Sequence, residues 1–537
     1  MDPDLSQEAA DLVSPPPPRA ATSDQRLIVG QTGQNVLGLA IGASATFAAQ
    51  IVMARRLGEQ AFGIVTVATQ FAFIAAAATR FGMDVANVRL VAILIGRGEA
   101  GRVPGLVRRA AGITLAISLP IASVVFILAP WISRSFSSLP GIAEPAFRWA
   151  AITVPFAALA FTMMGATRGL KIMRYTLFSQ WIAQPIGWIV LTLAFWAVAS
   201  TTAGVASAAF AASWAVALGI AWLGWMRERA KLPSVLEGEG IAEERAGSLW
   251  RFGALRAPGT LFSQLIFWTD LFVVSWLFSS RASAGAQDVG VYSGVLRAGQ
   301  SLFLFLTSVS LTFSPFVADL HHRGERVQLD ELYKKVTRWT LAATIPVLLV
   351  LAVMPAEVLR VFGPEFVRGE DALRILIVGM IVPVMVGTVG FILIMAGRTG
   401  WDLVVYVGGF AIDIGLALAL ARPEVLGIRG AAIAQAATLT FSALARLLLV
   451  RRFLGIWPFD VSYLRLVIPT LVGALVMAGA QEVIPERLWL LRLLGAAAAG
   501  TIAYGMAMLA VGLTISERSA VQRIVEKVLG RRGSTSA

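Results

Sequence analysis

The chain has 537 residues, of which 57% are apolar and 14% charged, with a mean hydropathy of +0.74. That leaves too little polar surface to coat a water-soluble globule, so the sequence reads as an integral membrane protein. Cysteine is absent, which excludes disulfides, thiolate metal sites and thiol nucleophiles, and the net charge of +13 must be weighed as a topology signal before nucleic acid is considered.

Residues 1–28 carry acids, the Pro15–Pro18 run and no apolar core, so they do not form a secretory signal and read as a disordered cytoplasmic tail. A helix crossing ~30 Å of hydrocarbon needs roughly 20 mostly apolar residues, and in lipid only helices or closed barrels satisfy their backbone groups. About fourteen segments qualify, near 29–54, 61–80, 105–129, 146–166, 178–199, 203–226, 252–279, 289–318, 337–354, 371–396, 400–421, 427–450, 463–480 and 488–514. The stretch "ARRLGEQAFGIV", Ala54 to Val65, reads as a charged, glycine-bounded turn between the first two, and "SRASAGAQDVGVYSG", Ser280 to Gly294, as the same device further along.

An even number of crossings puts both termini on one side. About 32 of the 45 lysines and arginines lie on that side, which the positive-inside rule makes the cytoplasm. The basicity is thus mainly topological, and no nucleic-acid partner is expected.

The longest interior polar segment, "RERAKLPSVLEGEGIAEERAGSLW", follows the sixth span and divides the chain. Landmarks recur on either side of it in the same order. Gly63 corresponds to Gly290 (290 − 63 = 227), Arg97–Glu99 to Arg323–Glu325, "EPAFR" at Glu144 to "EDALR" at Glu370, Val154-Pro155 to Val382-Pro383, and "GVASAAFA" at Gly204 to "GIRGAAIA" at Gly427. Six helices return the chain to its starting face, so this is a parallel repeat. The expected fold is all-α integral membrane, with about fourteen transmembrane helices in two pseudo-symmetric six-helix lobes plus a C-terminal pair. The boundaries are a tail 1–28, a first lobe 29–226, a cytoplasmic linker 227–251, a second lobe 252–450, the pair 451–514 and a cytoplasmic tail 515–537.

Charges buried in hydrocarbon are functional candidates, because each costs at least a few kcal/mol. Asp270 and Arg297 are placed roughly 12–14 Å below the outer face on neighbouring antiparallel helices, where they can meet either as a structural ion pair or as a cavity pair that senses substrate or protons. Asp413 reaches similar depth in a glycine-rich setting that suits close packing. Asp84 and Arg89, with Arg80, fall at the cytoplasmic end of the second helix, where they either snorkel to the interface or touch substrate. Arg256 enters the seventh helix, and Pro258-Gly259 just beyond can bend it. In the first helix, Gln31, Gln34, Asn35 and Gly38 form one polar, small-residue stripe suited to a water-lined cavity or to close packing, and Gln180 and Gln184 pose the same choice. His321 and His322, adjacent in a polar loop, do not make a metal site, and no phosphate loop, nucleophile elbow or paired-carboxylate motif stands out. No cofactor and no enzymatic activity are expected.

The run from Gln34 to Ala92, with its apolar first helix, "ARRLGEQAFG" and a second helix closing in "FGMDVANVR", resembles the opening of bacterial polysaccharide flippases. These are Wzx-like proteins of the multidrug/oligosaccharidyl-lipid/polysaccharide exporter superfamily, and "GIRGAAIAQAAT" is similar to their second-lobe counterpart. The resemblance covers nearly all of residues 27–514. It implies a V-shaped bundle of two lobes around a central, often cationic cavity that moves undecaprenyl-diphosphate-linked oligosaccharide across the inner membrane by alternating access, for surface polysaccharide synthesis. Members often place an acid followed by a base in helix seven, whereas Leu271 follows Asp270 here, so that role carries over for the acid alone. The implied partners are the anionic lipid-linked substrate, the bilayer and polysaccharide polymerase machinery. Rival readings are a drug or cation antiporter or a peptidoglycan-precursor flippase of the same superfamily, and more remotely a membrane polymerase or ligase.

Overall fold

A computed structural model of the protein describes residues 21–233, 249, 253 and 257–513, the side chains of residues 21–40 and of several positions between 282 and 322 excepted. The described residues are almost wholly helical and none lies in a strand. In chain order the helices are α1 (21–57), α2 (59–79), α3 (Met83–Gly96), α4 (Val103–Phe136), α5 (Pro140–Gly169), α6 (Arg174–Val198), α7 (Ala203–Arg229), α8 (Ala257–Leu265) and α9 (Thr269–Leu277). There follow α10 (Ala282–His322), α11 (Arg326–Val353), α12 (Pro355–Arg360), α13 (Pro364–Val386), α14 (Val389–Met395), α15 (Thr399–Leu420), α16 (Ile428–Leu454), α17 (Val461–Val483) and α18 (Glu486–Gly512). The pairs α8–α9 and α13–α14 are each bent at a short break, by 56° and 45°.

The expected helices are present, with corrections at their ends. The chain breaks between α1 and α2 at Gly58, whose φ of 71° lies in the left-handed region that glycine adopts without a Cβ penalty. The second supposed turn is different: only the residues between α9 and α10 turn, and α10 is helical from Ala282, so most of "SRASAGAQDVGVYSG" is its first three turns. Gly63 and Gly290 are therefore helix contact points and not turn residues. The helix α3 was not anticipated, because its 14 residues are too few to span a bilayer. Phe81 and Gly82, both at positive φ, swing the chain out of α2 and start it, so Asp84 and Arg89 sit on this separate helix and not on the end of the second span. The described part of α8 breaks at Ile266–Trp268, two turns beyond Pro258 and Gly259, and the residues just before that pair, where its effect on the helix would show, lie outside the described ones.

Packing follows the residue sizes. Helices α5 and α7 meet through alanines such as Ala146, Ala150, Ala206 and Ala209, all buried, which lets the backbones approach closely as membrane helices do. The opposite polarity rule of a soluble protein fails here: Val124, Ile127, Trp131, Val198 and Leu475 are among many large apolar side chains left exposed, as lipid contact requires. The last pair, α17 and α18, packs on α11, where Gly473 lies against Gly500 and the Tyr504 hydroxyl donates to the Ala342 carbonyl at 2.8 Å.

Turns alternate between two faces. One, the linker face, carries the residues after α2, α5, α7, α10, α14 and α16. On the other, the first six spans meet the next six. Phe47 packs on Phe362 with ring centroids 5.5 Å apart, Phe136 on Phe272 at 6.2 Å, and Phe62 on Phe366 at 5.6 Å. Arg55 donates across the seam from Nε to the Val361 carbonyl (2.8 Å) and from Nη2 to that of Arg360 (2.9 Å). On the linker face Leu249, near the end of the linker, lies beside Met83 and Ala86, and Gly253, just beyond the linker, lies against Phe81.

Candidate functional site

The bend between α8 and α9 organises the deepest polar groups. Trp268 leaves helical geometry at φ −138°, and Asp270 falls in the first turn of α9, where the Leu271 N–H donates to its Oδ1 at 2.8 Å. A carboxylate suits a helix N-terminus, whose free N–H groups carry partial positive charge. The Tyr292 hydroxyl of α10 donates to the other oxygen of Asp270. Against the same break lies Asp413 of α15, beside the Asp270 backbone N–H. The Thr438 hydroxyl of α16 is 3.4 Å from Asp413 Oδ1, and Asp413 Oδ2 has no side-chain partner among the described residues. Both aspartates are 0% exposed. Two carboxyl groups so enclosed cannot both carry charge cheaply.

Arg297 does not pair with Asp270, contrary to one sequence expectation. Starting α10 at Ala282 and not near 289 lowers Arg297 by about 10 Å at ~1.5 Å per residue, and brings Tyr292 to the depth of the acid instead. Tyr292 and Arg297 are also five residues apart, about 140° around the helix, so they face different neighbours. The guanidinium lies over the Trp268 ring, 4.7 Å from its centroid, and its Nε and Nη2 are buried without a hydrogen-bond acceptor. Among the described residues no carboxylate pairs with it. A guanidinium held on an aromatic face with donors unspent is equipped to take an anion such as a phosphate.

The first half has its own cluster. Arg80 Nε lies 3.7 Å from Asp84 Oδ2, and the Arg80 guanidinium stacks over Phe161 at 4.5 Å. Both residues are buried against α5, where Gly165 touches the Asp84 backbone, so Asp84 is packed in the first-half core and does not snorkel to the interface. Asn87, one turn on, donates to the Thr162 carbonyl at 2.9 Å. Arg168 of α5 adds a second cation near Asp84. Arg89 points outward on α3 and is exposed, away from Arg297 and Asp270. Gln184 donates to the Ser213 hydroxyl at 3.3 Å, a packing contact between α6 and α7. The side chains of Gln31, Gln34 and Asn35, Arg256, and most of the 227–251 linker lie outside the described residues.

The structure thus unites Asp270 with Asp413 and leaves Arg297 apart. The sequence reading did not find Tyr292, Trp268, Thr438 or Arg168. Trp268 and Tyr292 could have been found as polar-tipped aromatics within two or five residues of a deep charge, and Thr438 as the hydroxyl facing Asp413 in an otherwise alanine-rich helix. No group of three or more His, Asp or Glu side chains that could hold a metal occurs among the described residues.

Three solved structures share the fold. An inward-facing multidrug resistance MATE family transporter of the MOP superfamily superposes with a TM-score of 0.66 at 14% identity, covering 78% of this chain and 98% of its own. The lipid II flippase MurJ in an inward closed conformation gives 0.63 at 14% identity, over 87% and 97%. A MOP superfamily transporter from Pyrococcus furiosus, described as having a binding pocket of reversed polarity, gives 0.58 at 17%, over 79% and 95%. No curated protein matches the sequence. The family model described as "Polysaccharide biosynthesis protein" matches residues 32–321, more than half of the chain, and the protein accordingly belongs to the polysaccharide biosynthesis protein family.

Proposed function

We propose that the protein flips a prenyl-diphosphate-linked oligosaccharide, of the undecaprenyl class, from the cytoplasmic to the periplasmic leaflet of the bacterial inner membrane by alternating access. Residues 29–226 and 252–450 act as two lobes, 451–514 as an added pair, and 227–251 as the cytoplasmic tether between lobes. In this reading the linker face is cytoplasmic, which places the excess of lysine and arginine inside.

The observation that carries the reading is Arg297, a deep cation whose Nε and Nη2 have no acceptor among the described residues. A diphosphate head crossing ~30 Å of hydrocarbon needs such donors on its way, while the prenyl tail stays in lipid. Membership of the family and the fold shared with a lipid II flippase support the lipid-linked class. Arg256 and the amides of Gln31, Gln34 and Asn35 complete the candidate path, with Arg89 at its cytoplasmic end, while Asp84, packed in the first-half core, stands outside it. Uphill transport draws on an ion gradient, the membrane potential or consumption of product, and the Asp270–Asp413 site is where a cation or proton would register it.

The test is surface polymer in a strain carrying Arg297→Ala. The variant should reach the membrane at normal level and export no polymer, and Arg297→Lys should restore part of the export. Normal export by Arg297→Ala ends the assignment. Loss of growth on deletion, in place of loss of polymer, would point instead to a peptidoglycan precursor as cargo.

A further inference from the structure

The contacts on the face opposite the linker have a symmetry of their own. Shifting Phe47 by the repeat spacing gives Phe272 (272 − 47 = 225), and shifting Phe136 gives Phe362 (362 − 136 = 226). Phe47 packs on Phe362 and Phe136 packs on Phe272. One contact is therefore made twice with the halves exchanging roles, which is what a two-fold relation between them requires. Residues that are each other's counterparts and also touch must lie on the axis, and Gly63 and Gly290 do so.

Their approach is closer than any side chain allows. A Cβ built on Gly290 falls 1.8 Å from the Glu59 carbonyl oxygen and 2.4 Å from its carbon, and one on Gly63 falls 2.7 Å from the Gly290 nitrogen. Every obstacle is backbone, which cannot rotate aside as a side chain would. To admit one methyl group the two helices must part by about 1.5 Å to reach normal contact distance. Around this crossing Arg55 spans the seam with its two carbonyl bonds and reaches Trp489 of α18 at 5.4 Å, and Arg368 lies 3.7 Å from Glu59.

We propose that the Gly63–Gly290 crossing, with the paired phenylalanines around it and Arg55 as its strap, is the gate that shuts the transport path on the face opposite the linker, and that bare backbone at Gly290 is what lets it close. Packed interfaces switch between discrete arrangements and do not stretch. A side chain at Gly290 therefore removes the closed arrangement and leaves the open one populated. The proposal rests on alternating access but not on the cargo.

The chain contains no cysteine, so one engineered thiol reports without background. Val67, 1% exposed, lines a small pocket under the seam with Phe136, Ser275 and Val289. In full-length Val67→Cys protein reconstituted in vesicles, a membrane-impermeant maleimide on the face opposite the linker should label slowly. Adding Gly290→Val should raise the rate by about tenfold or more, and Arg55→Ala, which adds no volume and removes two modest hydrogen bonds, by about threefold. Adding Gly112→Val, whose built Cβ meets nothing within 4 Å, should leave it unchanged. Unchanged labelling with Arg55→Ala, together with no rise or no folded protein for Gly290→Val, overturns the gate. A second arm separates gate from function: a short bis-maleimide joining Glu59→Cys to Arg368→Cys should stop polymer export. Faster labelling in the first arm with export continuing through the cross-link would keep the gate and contradict the proposed transport.

Discussion

The two halves share a scaffold, and one buried charge cluster in each is built in the opposite way to the other. In the first, Arg80 and Asp84 sit together under Phe161, an ion pair with an aromatic lid. In the second, Asp270 and Asp413 sit together while Arg297 stands apart on Trp268, so like charges are gathered and the cation is left without a counter-ion among the described residues. The repeat makes the difference informative. Moving back by the spacing of 223 to 228 residues, Asp270 lands within Gly42–Phe47, Arg297 within Thr69–Ile74 and Asp413 within Pro185–Val190, and none of these positions is charged. The same helical frame forms in the first half without those charges, so they are not what holds the frame together. A paired charge is the economical arrangement for structure, and an uncompensated one needs a reason outside the fold.

The contrast can be broken by substitution. The largest effect should be on transport: Arg297→Ala is expected to lower export by on the order of 100-fold, the loss of a charge-assisted contact to the cargo, with little change in thermal stability. Next, Arg80→Ala should do the reverse. It leaves Asp84 in the core with Arg168 as its remaining nearby cation and should cost about 3 kcal/mol of stability, read as a lowered melting temperature in detergent, with export per folded molecule preserved. Adding Asp84→Asn should recover much of that loss, a coupling that a double-mutant cycle measures. Smaller still, Asp413→Asn should lower export about tenfold and flatten its dependence on an imposed ion or pH gradient, as measured in vesicles. Tyr292→Phe removes one hydrogen bond from Asp270 and should change stability by about 1 to 2 kcal/mol. Equal stability losses from Arg297→Ala and Arg80→Ala would erase the comparison.

Most of the frame was legible because lipid imposes a length and a composition on each span. The segments read near 203–226 and 427–450 became Ala203–Arg229 and Ile428–Leu454, since nothing but apolar length decides them. Polar helix starts were not legible by the same rule. "SRASAGAQDVG" is hydrophilic enough to read as a turn, yet it is helical because α10 runs to 41 residues, longer than a span needs. That error propagated: it set Arg297 too high and opposite Asp270. Asp270 and Arg297 could be singled out by burial cost alone, but who meets whom depended on helix phase and on the break at Trp268, which no proline or glycine at that point announces. Arg256 and the amides of Gln31, Gln34 and Asn35 stand as they did in the sequence.

Binding to purified full-length protein is the shortest route to the central claim. Titration of an undecaprenyl-diphosphate-linked sugar into wild type, Arg297→Ala and Arg80→Ala should show affinity reduced by one to two orders of magnitude for Arg297→Ala alone, the loss of a charge-assisted phosphate contact. Equal affinity of Arg297→Ala and wild type for that ligand would contradict the account.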